Sequence, residues 1–127
     1  MLIHINTCAQ TPLYEQLRDQ IIIGIASNQL RQGESLPSVR SLAADLGINF
    51  HTVNKAYSML FDEGYIIMDR RKGGIISQPK DNDEYSELLQ TKLSLAAAEA
   101  ICHGITENEF VSICKQNFNK LRGTKNA

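Results

Sequence analysis

The chain has 127 residues, 13 of them Lys or Arg and 14 Asp or Glu, for a formal net charge of -1. With 43% hydrophobic and 21% charged residues, it can bury the core of one domain, or of a small domain plus an extension, and wholesale disorder is excluded. The near-zero balance excludes a uniformly basic nucleic-acid coat but not a locally basic face, because the acid excess lies in residues 81–127, with five basic and seven acidic groups.

Met1-Leu2-Ile3-His4-Ile5 shows no basic leader followed by a long apolar stretch, so no signal peptide is expected. Ile3-His4-Ile5 suits a short extended piece. Pro12 suits the first turn of a helix. Leu13, Leu17, Ile21 and Ile25 then recur every four residues, which predicts a helix over residues 12–28. Its richest run, Ile21-Ile22-Ile23-Gly24-Ile25-Ala26, falls far short of the roughly 18 apolar residues of a membrane span. Cys8, Cys102 and Cys114 are few and scattered, which points to reduced thiols in the cytoplasm.

After the punctuation Gln32-Gly33-Glu34-Ser35-Leu36, Pro37 opens a second helix. Val39, Leu42, Ala43 and Leu46 fall at i, i+3, i+4 and i+7, one buried stripe. Gly47 follows, where a left-handed cap suits glycine. Asn49 can cap a third helix, in which Val53, Ala56, Tyr57 and Leu60 repeat the spacing until Gly64 ends it. Two short amphipathic helices joined by Gly-Ile-Asn make a helix-turn-helix pattern. Tyr65 to Met68 suits a strand, residues 69–74 a polar turn, and Ile75-Ile76-Ser77 a returning strand, so a hairpin with a basic tip follows.

Residues 79–83 suit a hinge. Beyond it, Tyr85, Leu89, Leu93, Ala96 and Ala100 form one apolar stripe, widened by Leu88 and Leu95. Thr106-Glu107-Asn108-Glu109 has the form of a capping box, and Phe110, Ile113, Cys114, Phe118 and Leu121 form the stripe of a last helix. Two helices of this size have too little core to stand alone. The same pair from a second chain is the simplest partner.

The third helix carries the functional pattern. Its buried stripe leaves His51, Thr52, Asn54, Lys55 and Ser58 on other faces, and Asn49 to Lys55 holds hydrogen-bonding groups and one cation but no acid. A helix N-terminus favours phosphate through its free amides and dipole, and such a helix can enter the major groove. There Asn54 could read adenine, while Thr52 and His51 reach bases or phosphate; an ordinary solvated face has the same look. Ser38 and Arg40 open the second helix, which crosses the phosphate backbone in this geometry. The Arg40 fork matches phosphate, or it pairs with Asp45 or Glu34. Arg70, Arg71 and Lys72 gather charge at the hairpin tip, and Gly73 lets backbone approach a partner, as in a wing on phosphate or the minor groove; a charged soluble turn is the plainer alternative. The three features stand in the order that one DNA-binding surface requires.

Leu36-Pro37-Ser38-Val39-Arg40-Ser41-Leu42-Ala43, Leu46-Gly47-Ile48-Asn49, Thr52-Val53-Asn54-Lys55-Ala56-Tyr57 and Glu63-Gly64-Tyr65-Ile66 resemble the GntR family of bacterial transcription regulators. Pro12-Leu13-Tyr14-Glu15-Gln16-Leu17 fits that family's first helix. The resemblance covers residues 10–78. The two-helix tail resembles the YtrA-type subfamily, whose members are dimeric repressors often encoded beside ABC transporters. The resemblance implies DNA contacts from Arg40, from the start of the third helix and from the wing. Thr52 matches the family pattern. Phe50 and His51 depart from the subfamily's usual proline and asparagine. Phe50 cannot donate a hydrogen bond; it contacts a thymine methyl or only packs. Gly73-Gly74-Ile75 resembles the family's glycine turn loosely.

An enzyme is not expected: no phosphate loop, nucleophile elbow or carboxylate pair is visible, and His4, His51 and His103 are isolated. Two alternatives are a metal- or thiol-responsive regulator using Cys102, His103 and Cys114, and a winged helix that binds protein only. The expected architecture is mainly α with a small β-hairpin. A winged helix-turn-helix domain occupies residues 1–78, a hinge 79–83, a two-helix dimerisation region 84–122 and a flexible C-terminus 123–127. Tyr85, Leu88, Leu89, Leu93, Ala96, Phe110, Ile113 and Phe118 are the expected dimer contacts. No cofactor, metal or membrane partner is expected. The partners are a pseudo-palindromic DNA duplex and a second copy, with a small effector left open.

Overall fold

The computed structural model describes residues 3–80 and 83–123, which fall into two compact units divided after Pro79. Residues 81 and 82 of the expected hinge, and 124–127 of the expected flexible end, lie outside the described residues. The first unit runs α1 (Leu13–Ala26), α2 (Val39–Leu46), α3 (Phe50–Asp62), β1 (Ile66–Asp69) and β2 (Gly73–Ile76). The second holds α4 (Asp83–Cys102) and α5 (Glu107–Leu121). Among the described residues no helix is long and apolar enough to cross a membrane.

Helix α3 is the hub of the first unit, packing on α1, α2 and β1. Its stripe Val53, Ala56, Tyr57 and Leu60 is buried as the spacing predicts, against Leu17 and Ile21 of α1, Leu42 and Ala43 of α2, and Ile66 and Ile76 of the hairpin. Val39 and Leu46 pack at the edge of this core, half-buried. On the surface, Arg18 of α1 grips Glu63, the C-cap of α3, through Nε and Nη2 at 2.7 and 2.9 Å. The pair offsets a carboxylate placed at the unfavourable negative end of the helix dipole. Burial of each large aliphatic chain contributes about 1.5–3 kcal/mol, whereas an exposed ion pair gives about 0.2–1 kcal/mol. Packing therefore sets the rotation of α3 about its axis.

The helix ends follow local chemistry. Helix α1 is shorter than the spacing predicts. Pro12 stands just outside it as N-cap, with φ -56° and ψ 147°, and the chain leaves after Ala26 through Asn28, whose φ is 65°. Gly24, inside α1, sits at a close approach: a Cβ there would lie 3.0 Å from Leu30 Cδ1, so that side chain would have to shift. Helix α2 begins after Pro37, at Val39, with Ser38 as N-cap accepting the Ser41 amide at 3.1 Å. Gly47 closes it with φ 68°, the left-handed conformation expected there. Residues 3–5 form no strand; Ile3 and Ile5 pack on the core, and the His4 backbone is tied to the Gln20 side chain through its N–H and its carbonyl.

The hairpin is antiparallel, with Ile66 opposite Ile76 and Asp69 opposite Gly73. Its first strand is shifted by one residue from the expectation, and its second begins two residues earlier and ends one earlier. Tyr65 stays outside, while Asp69, Gly73 and Gly74 enter the ladder. The loop before α2 also joins β2. The Gly33 N–H donates to the Ile76 carbonyl, the Ile76 N–H to the Glu34 carbonyl and the Leu36 N–H to the Gly74 carbonyl, each at 2.8 Å. Ser35 thus bridges Ile75, a pairing that the punctuation of residues 32–37 concealed.

In the second unit the capping box forms. Thr106 Oγ1 accepts the Glu109 amide at 3.2 Å, and the Glu109 carboxylate accepts the Thr106 amide at 2.9 Å. The apolar stripes exist, but among the described residues of this unit only Ala100 is buried. Leu88, Leu89, Leu93, Ile113 and Phe118 are exposed, the last by 61%. Leu93, Ala97, Phe110, Val111, Cys114 and Phe118 line an open cleft between α4 and α5.

Candidate nucleic-acid interface

A shallow depression runs along α2 to the start of α3, lined by Arg40, Ala43, Ala44, Gly47, Ile48, Phe50 and His51. Neither helix has an acid in its first turn, so nothing there opposes the positive end of the dipole. Asn49 caps α3: its Oδ1 accepts the His51 amide at 2.7 Å. Ser38 and Asn49 thus both serve as caps, a local role beside the contacts expected of them.

Arg40 is exposed, and its guanidinium carbon lies 5.3 Å from the centroid of the Phe50 ring. The ion pairs considered for it with Asp45 and Glu34 are not found among the described residues; Glu34 instead accepts the Arg31 amide at 3.1 Å. The His51 ring meets Phe50 edge-on, at 5.6 Å between centroids and 84° between planes. Asn54 is exposed and Thr52 half-buried. Lys55 lies over another aromatic ring, with Nζ 3.9 Å from the centroid of Tyr14 in α1. This contact ties α1 to α3 and fixes where one cation stands.

The wing connects to this edge through the backbone. Gly74 is bonded to Leu36, and two residues later Ser38 caps α2. Between them Pro37 offers its carbonyl to the Tyr57 hydroxyl at 2.7 Å, which locks the approach to α2 onto α3. Burial pushes the Tyr57 phenol well above its ordinary pKa, so it remains a neutral donor at physiological pH. Arg70, Arg71 and Lys72 are exposed at the hairpin tip, and Gly73 opens β2.

Asp69 shapes that tip. Its Oδ1 accepts the Arg71 amide at 2.8 Å and the Lys72 amide at 3.0 Å, as a turn-forming aspartate does. The basic run drew notice in the sequence and Asp69 did not, although an Asp at the head of a turn was a usable signal. The same is true of Tyr57, taken only as a stripe residue. Cys102 and His103 are exposed and Cys114 is half-buried. Among the described residues, no three side chains of His, Cys, Asp or Glu gather as a metal site would require.

The family described as bacterial regulatory proteins, gntR family, matches residues 13–76. The transcriptional repressor YtrA of Bacillus subtilis (strain 168) is 39% identical over 77 residues, 61% of this chain and 59% of that protein. Among solved structures, YtrA from Sulfolobus acidocaldarius, a GntR-family transcription factor, is 38% identical with a TM-score of 0.67, covering 77% of this chain and 99% of that one. A transcriptional antiterminator from Listeria monocytogenes EGD-e is 27% identical with a TM-score of 0.87, covering 95% and 92%.

The two amide bonds, from Lys72 first and Arg71 second, hold the Asp69 carboxyl below its ordinary range. A depressed pKa means that the closed turn gains from ionisation above the unfolded value, and that this gain is lost as pH falls through the folded value. On acidification, the amide resonances of Arg71 and Lys72 are expected to shift together with a midpoint below the ordinary Asp value of about 3.9. A midpoint at or above that value would contradict the bonds.

Proposed function

The chain belongs to the GntR family of bacterial regulatory proteins, in its YtrA-type subfamily, and we propose that it acts as a homodimeric repressor gripping a pseudo-palindromic operator. Family membership makes it a DNA-binding transcription regulator rather than an enzyme. The observation that carries the finer reading is the acid-free edge where α2 and α3 begin, with Arg40 exposed upon it.

Helix α3 enters the major groove by its first turns, with Asn54 at a base edge and His51 and Thr52 at bases or phosphate. Arg40 meets backbone phosphate from the first turn of α2, where the free amides of a helix N-terminus reinforce it. Arg70, Arg71 and Lys72 carry the wing to the neighbouring phosphates or minor groove. Lys55, held at Tyr14, adds a cation at the flank of α3. These contacts belong to a DNA-binding domain of residues 1–78, with residues 79–83 as hinge.

Residues 84–122 form the dimer contact. A pair of helices with one buried residue among those described lacks the core to hold its own shape. Leu88, Leu89, Leu93, Phe110, Ile113 and Phe118, with Tyr85 and Ala96, supply an apolar surface that a second copy covers. Two α3 helices related by a two-fold axis then face half-sites about one helical turn apart. Occupancy of such a site blocks a promoter, which in the cytoplasm represses a nearby operon. That the Bacillus subtilis relative is a repressor supports this direction.

Substituting Arg40→Ala should weaken every duplex and reduce the slope of log affinity against log salt by about 0.9. Asn54→Ala should instead relax sequence preference, at a cost of about 1–3 kcal/mol on the selected site. Equal losses on selected and random duplexes for both variants, read by fluorescence anisotropy, would contradict this division. Leu93→Asp combined with Phe118→Asp should yield a monomer by sedimentation with operator affinity sharply reduced. A monomeric parent protein, or a variant that stays dimeric, would overturn the assignment of the interface.

A further inference from the structure

Phe50 is a large apolar side chain at the first position of α3, 38% exposed and outside the core cluster. It borders the depression lined by Ala43, Ala44, Gly47 and Ile48 without joining the core, and its ring stands between two polar side chains, Arg40 and His51. Two contacts frame it: the Arg40 guanidinium stands over its face at 5.3 Å, and the His51 ring meets it edge-on. Both backbones are fixed, because Ser38 caps the helix on which Arg40 stands two residues inside, and Asn49 the helix that Phe50 opens.

We propose that Phe50 is a positioning residue for DNA binding, a platform that holds the Arg40 guanidinium ready for a backbone phosphate. An exposed arginine samples many rotamers and must surrender that freedom when it binds. Contact with a ring face removes part of the freedom beforehand and leaves the N–H groups at the rim of the fork available to oxygen. With Asp45 and Glu34 not engaging Arg40 among the described residues, the ring is the partner that sets its place. The T-shaped contact with His51 braces the ring, so the pair Phe50-His51 acts as one support. The inference rests on the reading that Arg40 meets phosphate, and it assigns Phe50 no direct contact with a base.

The test is a double-mutant cycle on affinity for a duplex selected from a random pool, measured over a salt series with the full chain. Phe50→Ala is expected to weaken binding about two- to fivefold, the range of an exposed cation–π contact, and to lower the salt slope in the same direction as Arg40→Ala. In the Arg40→Ala background the same substitution should have almost no further effect. Phe50→Tyr should retain affinity, whereas Phe50→Leu, which keeps apolar bulk without a π face, should behave like Phe50→Ala. Thermal melting checks that each variant is folded, and the Tyr and Leu variants decide the matter if the alanine variant is not. Equal losses from Phe50→Ala in both backgrounds would overturn the proposal and assign Phe50 a direct contact of its own. Full affinity of Phe50→Leu would also overturn it. An Arg40→Ala variant with unchanged affinity would instead remove the reading of the edge as a phosphate contact, and the proposal with it.

Discussion

The rotation of α3 about its own axis is the constraint on which the molecule depends. Val53, Ala56, Tyr57 and Leu60 occupy one stripe and are all buried against three neighbouring elements. Turning the helix by one residue would expose large aliphatic chains at about 1.5–3 kcal/mol each. No polar contact on its surface is strong enough to compete. The core therefore decides which residues face outward, and Asn54 with His51 is presented to solvent as a consequence of where Leu60 must go.

Charge is organised locally in a chain whose sum is close to zero. Three acids of the first unit are engaged elsewhere: Glu63 holds Arg18, Glu34 accepts the Arg31 amide, and Asp69 accepts two amides in the wing. An ionised Asp69 beside three cations thus shapes the turn that displays them. Such an arrangement favours a partner through geometry as well as field. It also explains why net charge, a sound guide to non-specific association, says little about this chain. Pairing of two subunits would raise the effective concentration of the second reading helix once the first has engaged. Under the proposed pairing, a modest number of phosphate contacts would become selective.

Periodic features were legible in the sequence because they follow from one helix or one cap: the stripes of α2 and α3, the left-handed Gly47, the Asn49 cap and the Thr106–Glu109 box. The pairing of residues 33–36 with β2 was not, since Gly33-Glu34-Ser35 has no strand propensity and is held by backbone bonds alone. The Arg40–Phe50 and Lys55–Tyr14 contacts were invisible for a similar reason. They join side chains brought together by the fold, and the periodicity assigned Lys55 to a free face. Pro12 and Pro37 marked helix starts to within two residues, but the caps fell where the backbone first turns helical. In the second unit the stripes of α4 and α5 were readable as apolar faces. Their exposure in the single chain follows from the want of a third element to cover them.

Residue-by-residue mapping of the duplex contact, by amide chemical shifts during titration with a selected operator, shows directly which surface meets DNA. The expected result is a contiguous set of perturbed residues at the starts of α2 and α3 and at the wing tip, with the exposed flank of α1 around Asp19 unaffected. Perturbations centred on α1 or α4, with the edge around Arg40 silent, would contradict it.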